Sequence, residues 1–211
     1  MRKIKAKIIN LECNNIFSLS EACKKAGYNT SIIDSYNKYN KKESNNTDIL
    51  FLPGVGAFNE AMKVIKKKNL DDLIFKHVLK KRPLIGICLG MQLLFSTSAE
   101  FKLSKGLGLI KGEVKKIKKE KDTHFPHIGW RKINTERNSS FWKTTNKNFF
   151  YFIHSYYCNP KNRNLVTSTV NYGSQKICSS IQSSNIIGAQ FHPEKSGSEG
   201  IKFLKKLKNF V

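Results

Sequence analysis

The sharpest chemical feature of this sequence is the run Gly86-Ile87-Cys88-Leu89-Gly90. An apolar stretch precedes it and a helical pattern follows. A strand-to-helix turn this tight forces its middle residue into strained backbone, and flanking glycines remove the Cβ atoms that would clash. The Cys88 thiol is then left projecting at the end of a sheet, beside a helix start that favours thiolate. The backbone N–H of Leu89 would face an oxyanion developing on a bound carbonyl group. Free cysteines are mostly buried and inert. Cys13, Cys23, Cys158 and Cys178 lack this setting and read as structural.

A nucleophilic thiol needs a base, and the base needs a group to orient it. His192-Pro193-Glu194 supplies both. It follows a strand pattern over residues 186–190. In extended chain, residues two apart share a face, so Glu194 can hold one imidazole nitrogen while the other takes the thiol proton. Among His77, His124, His127, His154 and His192, only His192 has a carboxylate two residues on at a strand end. A third element, Pro53-Gly54-Val55-Gly56, closes an apolar strand. Its glycines admit close backbone approach, and the N–H of Val55 or Gly56 is a candidate second oxyanion donor.

Alternating elements must carry these groups. Residues 5–10, 30–34, 48–52 and 83–87 read as strands. Residues 16–26, 57–67 and 71–80 read as helices, and a helix starts over residues 91–95. Residues 38–46 read as a polar loop. Strand and helix in alternation imply an α/β fold: a mostly parallel central sheet with helices on both faces. Residues 111–118, 149–155, 165–170, 177–181 and 186–190 are strand patterns separated by turns, so a smaller antiparallel sheet is expected in the second half. Residues 198–209 close the chain as an amphipathic helix. No internal repeat or composition break appears, so residues 1–211 read as a single domain.

The chain of 211 residues is 39% hydrophobic, enough for a core, and carries a formal charge of +23. The lysines are spread along the whole chain, and no zinc-finger, RNP or helix-turn-helix pattern accompanies them, so nucleic acid is not the expected ligand. An odd, scattered set of cysteines without CxxC pairs argues against a disulfide framework and a metal site. No apolar run has the length to span a bilayer. A cytoplasmic protein with neither membrane association nor cofactor is expected.

Cysteine elbow, glycine loop and His-x-Glu, in this order, resemble the class I glutamine amidotransferases. The elbow of that family reads G-x-C-x-G-x-Q, and this chain continues to Gln92. Within the family the resemblance is strongest to glutaminase subunits of imidazole glycerol phosphate synthases. It rests on residues 52–58, 86–92, 126–130 (Pro-His-Ile-Gly-Trp), 151–156 (Tyr-Phe-Ile-His-Ser-Tyr) and 190–196 (Gln-Phe-His-Pro-Glu-Lys-Ser). The resemblance implies glutamine as substrate, a Cys88–His192–Glu194 triad, and oxyanion donors at Val55, Gly56 and Leu89. It further implies glutamine contacts from Gly54, Gln92, His154, Ser155 and Tyr156. Ammonia would pass to a (β/α)₈ barrel cyclase across an interface that includes Asn15, Trp130 and Lys195, in histidine biosynthesis. Two departures stand out. The family opens with Asp-Tyr-Gly-x-Gly-Asn-Leu, where this chain has residues 10–16, Asn-Leu-Glu-Cys-Asn-Asn-Ile, and only Asn15 aligns well. Arg131 stands where the family has Asn after Gly-Trp. They motivate an alternative: a paralogous glutaminase feeding another synthase, such as one that amidates a surface-polysaccharide sugar. A stand-alone cysteine hydrolase on the same sheet, such as a γ-glutamyl peptidase, is the remaining enzyme class.

Overall fold

The computed structural model describes residues 3–12, 16–35, 47–121, 123–136, 142 and 148–211. Cys13, Asn15 and the loop expected over residues 38–46 lie outside the described residues. The first half runs β1 (Ile4–Ile9), α1 (Ile16–Lys25), β2 (Tyr28–Ile33), β3 (Ile49–Gly54), α2 (Phe58–Lys67), α3 (Leu70–Leu79), β4 (Leu84–Cys88) and α4 (Leu89–Leu93). Then come β5 (Phe95–Ser98), β6 (Ser104–Lys105), β7 (Ile110–Lys116), β8 (His127–Thr135), β9 (Phe149–His154) and β10 (Tyr156–Pro160). The last elements are β11 (Val166–Tyr172), β12 (Gln175–Ser183), β13 (Ile186–Ala189) and α5 (Gly197–Lys206).

Among the described residues, nine strands form one sheet in the order β2-β1-β3-β4-β13-β12-β11-β8-β9. From β2 to β13 every pairing is parallel. From β13 to β9 every pairing is antiparallel. The expected α/β architecture therefore holds, but only half of the sheet is parallel. The antiparallel strands extend the main sheet instead of forming their own. The separate small sheet, β10-β7-β5-β6, is mixed and starts with β5, directly after the elbow helix.

Alternation divides the core. In β3, Ile49 and Phe51 pack on one side with Leu19 and Cys23 of α1 and Phe203 and Leu204 of α5. Leu50 and Leu52 pack on the other side with Phe58, Ala61 and Ile65 of α2 and Leu73 and Ile74 of α3. A strand covered on both faces must be apolar throughout, which is why β3 and β4 read as unbroken apolar runs. The elbow helix begins at Leu89, two residues earlier than the sequence pattern suggests. Phe95, expected within that helix, starts β5.

Candidate active site

The glycines around Cys88 are set by close approach. A Cβ on Gly90 would lie 1.6 Å from the Leu52 carbonyl oxygen, and one on Gly86 would meet the Met91 Cα at 2.8 Å. Helix α4 thus starts against β3, with Cys88 as the hinge residue at φ 53°, ψ −111°. That backbone is unfavourable for any residue with a side chain, at a cost of about 1–3 kcal/mol. The first amides of a helix have no partner within it, so the N–H groups from Leu89 onward start unpaired beside the thiol.

Cys88, Leu89, Val55 and Gly56 line one cavity of about 250 Å³, with Gln92, Glu100, Pro126 and the stretch from Ile153 to Tyr156 on its other walls. This is smaller than the roughly 300–1,000 Å³ of pockets for drug-sized ligands, and suits an amino-acid-sized molecule. Larger hollows lie elsewhere; one of about 780 Å³ beside Arg163 and Lys176 is lined by Cys178, but burial pushes that thiol's pKa up to about 12 and no histidine is among the described residues on its wall. Gly54 is not on the cavity wall; it pairs with Cys88 in the sheet and packs under the Leu89 side chain.

His192 and Glu194 come together differently from expectation. β13 ends at Ala189, and residues Pro193–Lys195 form a turn of 3-10 helix instead of extended chain. Proline has a fixed φ and no N–H to offer a strand partner, so it suits the first position of such a turn. The turn brings Glu194 Oε1 to 2.7 Å from His192 Nδ1, with both side chains more than nine-tenths buried. The Nδ1–H donates to the carboxylate, which leaves Nε2 as the basic nitrogen. Among the described residues Nε2 has no partner within full hydrogen-bond geometry, but Cys88 lies close enough to act on its charge. Burial, the largest single influence, works against charge on this ring. Attraction to Cys88 and the contact with Glu194 outweigh it and raise the His192 pKa to about 10. Ser196 Oγ clamps the turn, donating to the His192 carbonyl at 2.6 Å and accepting from the Tyr151 N–H at 3.0 Å.

The far wall is held by paired amides and imidazoles. Gln92 Nε2 donates to the Tyr156 carbonyl at 2.9 Å and to Gln190 Oε1 at 3.2 Å. Gln190 Nε2 reaches Cys88 Sγ at 3.7 Å, and that thiol donates to the Ile153 carbonyl at 3.8 Å. His154 Nδ1 donates to the Tyr156 carbonyl at 2.8 Å, so its Nε2 must accept from His127 Nδ1, also at 2.8 Å. Both rings are then neutral. Burial pushes the His127 pKa down to about 4 and that of His154 to about 3. Ser155 lies at the break between β9 and β10 and lines the cavity.

Glu100, His127 and Gln190 were not picked out from sequence as site residues. Glu100 is the acidic group of the cavity wall, and its Oε2 accepts the Phe58 N–H at 2.6 Å. His127 and Gln190 lie inside two of the stretches that carry the resemblance, without a role of their own there, and Glu100 lies in none. Only the fold brings Glu100 to the cavity, Gln190 to Cys88 and His127 to His154.

Trp130 and Lys195 sit apart from the cavity. Trp130 is 50% exposed and packs edge-on against Tyr151, over whose ring the Lys195 ammonium lies at 5.7 Å. In the β8–β9 pair, Ile128 faces Ile153 and Trp130 faces Tyr151, which makes an open apolar face. Among the described residues there is no cluster of metal-ligating side chains, and no helix is long and apolar enough to cross a membrane.

Comparison with known proteins identifies the family. The chain is 39% identical over 210 residues to the imidazole glycerol phosphate synthase subunit hisH of Cyanophora paradoxa, covering 99% of this chain and 94% of the relative. It is 38% identical over 202 residues to the subunit HisH of Aquifex aeolicus, covering 95% and 94%. Among solved structures, the fold superposes on PurLQS from Thermotoga maritima with a TM-score of 0.72 at 17% identity, covering 99% of both chains. The sequence profile described as Glutamine amidotransferase class-I matches residues 7–210. With a cysteine elbow, a His–Glu pair and one small cavity assembled on that fold, the chain belongs to the class-I glutamine amidotransferases.

Proposed function

We propose that this chain is the glutaminase subunit of an imidazole glycerol phosphate synthase. It hydrolyses glutamine to glutamate and supplies the ammonia to a (β/α)₈ cyclase subunit in histidine biosynthesis. Full-length relatives carrying that name support this reading over a sister glutaminase serving another synthase. The observation that carries the chemistry is the buried His192–Glu194 contact of 2.7 Å, electrostatically coupled to Cys88.

In the proposed reaction the proton given up by Cys88 rests on His192 Nε2, whose pKa is raised to about 10, and the sulfur attacks the side-chain amide carbon of glutamine. The oxyanion is met by the N–H of Leu89 and by that of Val55 or Gly56. The C–N bond breaks, His192 returns the proton to the departing ammonia, and a thioester remains. Water, deprotonated by His192, then attacks the thioester and releases glutamate. Glu194 holds the ring in the tautomer this cycle needs. Gln92, with both Nε2 hydrogens committed, offers its Oε1 as an acceptor, and the Glu100 carboxylate suits the substrate ammonium group. His154, Ser155 and Tyr156 shape the wall against which the glutamine backbone lies, and Gly54 sets the loop that carries Val55. The whole chain, residues 1–211, acts as one domain.

The cyclase would cover the open face of β8 and β9, with Trp130 and Lys195 in the contact and Asn15 contributing from outside the described residues. That face suits partner docking because it is apolar, aromatic and rimmed by cations. The test is glutamine hydrolysis by the full chain mixed with a cognate cyclase subunit. Cys88→Ala should abolish hydrolysis while thermal melting stays close to that of the unmodified chain. Retained hydrolysis would refute the mechanism.

A further inference from the structure

Gln190 lies at the junction between β13 and the His192 turn. It is fully buried, and a polar side chain there must account for its hydrogen bonds. Its amide has a defined direction. Gln92 Nε2 spends one hydrogen on the Tyr156 carbonyl and the other on Gln190 Oε1. With its oxygen fixed toward Gln92, the Gln190 Nε2 must point the other way, where Cys88 Sγ stands 3.7 Å off. The backbone holds the same direction from behind, since the Gln190 N–H donates to the Ser179 carbonyl at 2.9 Å.

We propose that Gln190 is a further member of the active site: its amide N–H supports the Cys88 sulfur as a nucleophile, and Gln92 acts through Gln190 by fixing which way that amide faces. The inference rests on Cys88 being the nucleophile. It gives the sulfur a stabilising group besides His192. As thiol, Cys88 donates to the Ile153 carbonyl. As thiolate it can only accept, and the Ile153 oxygen becomes repulsive. An amide donor on the sulfur is what then favours the ionised form. The Tyr156 carbonyl, anchored by both Gln92 and His154, ties this donor chain to the wall of the substrate cavity.

The test reads the thiol directly. The full chain is treated with iodoacetamide across a pH series, and alkylation of the Cys88 peptide is followed by mass spectrometry. Gln190→Met keeps the side-chain length and removes the donor. Gln190→Glu replaces the donor with an acceptor. The pH midpoint of Cys88 alkylation should rise by about one unit in Gln190→Met, the loss expected for a hydrogen bond to a charged group, and further in Gln190→Glu. Gln92→Met should raise it less, because the Gln190 amide is then free to turn. In glutamine hydrolysis, Gln190→Met should lower kcat by roughly tenfold with little change in KM, the pattern of a lost interaction with the reacting atom. An unchanged midpoint in both Gln190 variants would overturn the inference. Gln190→Met puts an apolar group into a buried site, so it keeps the test decisive if Gln190→Glu fails to fold. The failure of the glutaminase reading itself looks different: Cys88→Ala would still hydrolyse glutamine, whatever the alkylation profiles show.

Discussion

The two halves of the nine-stranded sheet meet at β13 and do different work. On the parallel side, β3 and β4 are buried on both faces and carry the elbow at their carboxyl ends. On the antiparallel side, β8 and β9 alternate, with His127, Ile133, Phe150, Phe152 and His154 inward and Ile128, Trp130, Phe149 and Ile153 outward. One half fixes Cys88 through backbone that tolerates no added atom. The other supplies a wall to the cavity on one face and an open surface on the other. Ile153 belongs to both functions: its carbonyl accepts from Cys88 while its side chain lies in the open face. A partner seated on that face would therefore press on a residue in direct contact with Cys88. Under the proposed function this predicts weak glutaminase activity for the chain alone and stimulation when the cyclase subunit and its ligand are added. Full activity without a partner would separate the two halves.

The largest effect belongs to the parallel side. Cys88→Ala should lower glutamine hydrolysis by about 10⁴-fold or more, as for loss of the nucleophile in other triads. Gly90→Ala should cost the fold itself. Its methyl group would overlap the Leu52 carbonyl oxygen at 1.6 Å, between two buried elements that cannot separate without opening the core. A destabilisation above about 4 kcal/mol is expected, read as loss of soluble protein or a collapse of the urea midpoint. The matching glycine change on the antiparallel side is milder. Gly129 has φ 117°, so alanine there is strained, but the nearest atom is the far end of the flexible Arg131 side chain at 3.3 Å. About 1–3 kcal/mol is the expected cost. Equal losses at the two glycines would erase the distinction between the halves.

The same division explains what the sequence made legible. β3 and β4 stood out as apolar runs closed by turns, and the glycines beside Cys88 marked the elbow, because these features are local. β8 was not seen. Arg131 and Lys132 interrupt its alternation and Gly129 takes a positive φ within it, so its strand character comes from pairing with β9 and β11. Partner choice among antiparallel strands is non-local, which is why one continuous mixed sheet read as two. Among the candidate site residues, Cys88, His192 and Glu194 are legible because each sits in a motif. The path between His192 and Glu194 is a turn and not the extended segment the pattern suggests, because Pro193 starts a 3-10 helix there. Glu100, His127 and Gln190 are single polar residues whose neighbours lie far along the chain. His127 and Gln190 do sit in stretches that carry the resemblance, but nothing in those stretches says what their side chains touch.

The open face offers a smaller and more selective effect. Trp130→Ala should leave the stability of the isolated chain within about 0.5 kcal/mol, the usual range for surface changes. If the cyclase covers this face, the same change should weaken the complex by about 2 kcal/mol, as for an aromatic anchor. Titration calorimetry with the cyclase subunit checks this. Unchanged affinity would move the interface away from β8 and β9.

The smallest effect is a pH dependence that runs in opposite directions on the two sides of the cavity. His127 and His154 are held neutral, with pKa values pushed down by burial to about 4 and about 3. Unfolded histidines titrate near 6.5, so the unfolded chain binds more protons as the pH falls. The stability these two rings contribute is complete above about pH 6.5 and is lost as the pH drops toward 4 and below. His192 has the opposite sign. Its pKa is raised to about 10, so its contribution is complete below about pH 6.5 and is lost as the pH rises toward 10. Each proton taken up or released corresponds to about 1.4 kcal/mol per pH unit. His127→Gln keeps a donor for His154 Nε2 but cannot titrate, and should flatten the acid arm of a urea-midpoint profile while leaving the alkaline arm alone. His192→Gln should do the reverse. If both substitutions flattened the same arm, the assignment of neutral rings to the β8–β9 wall and a charged ring to the Glu194 turn would be wrong.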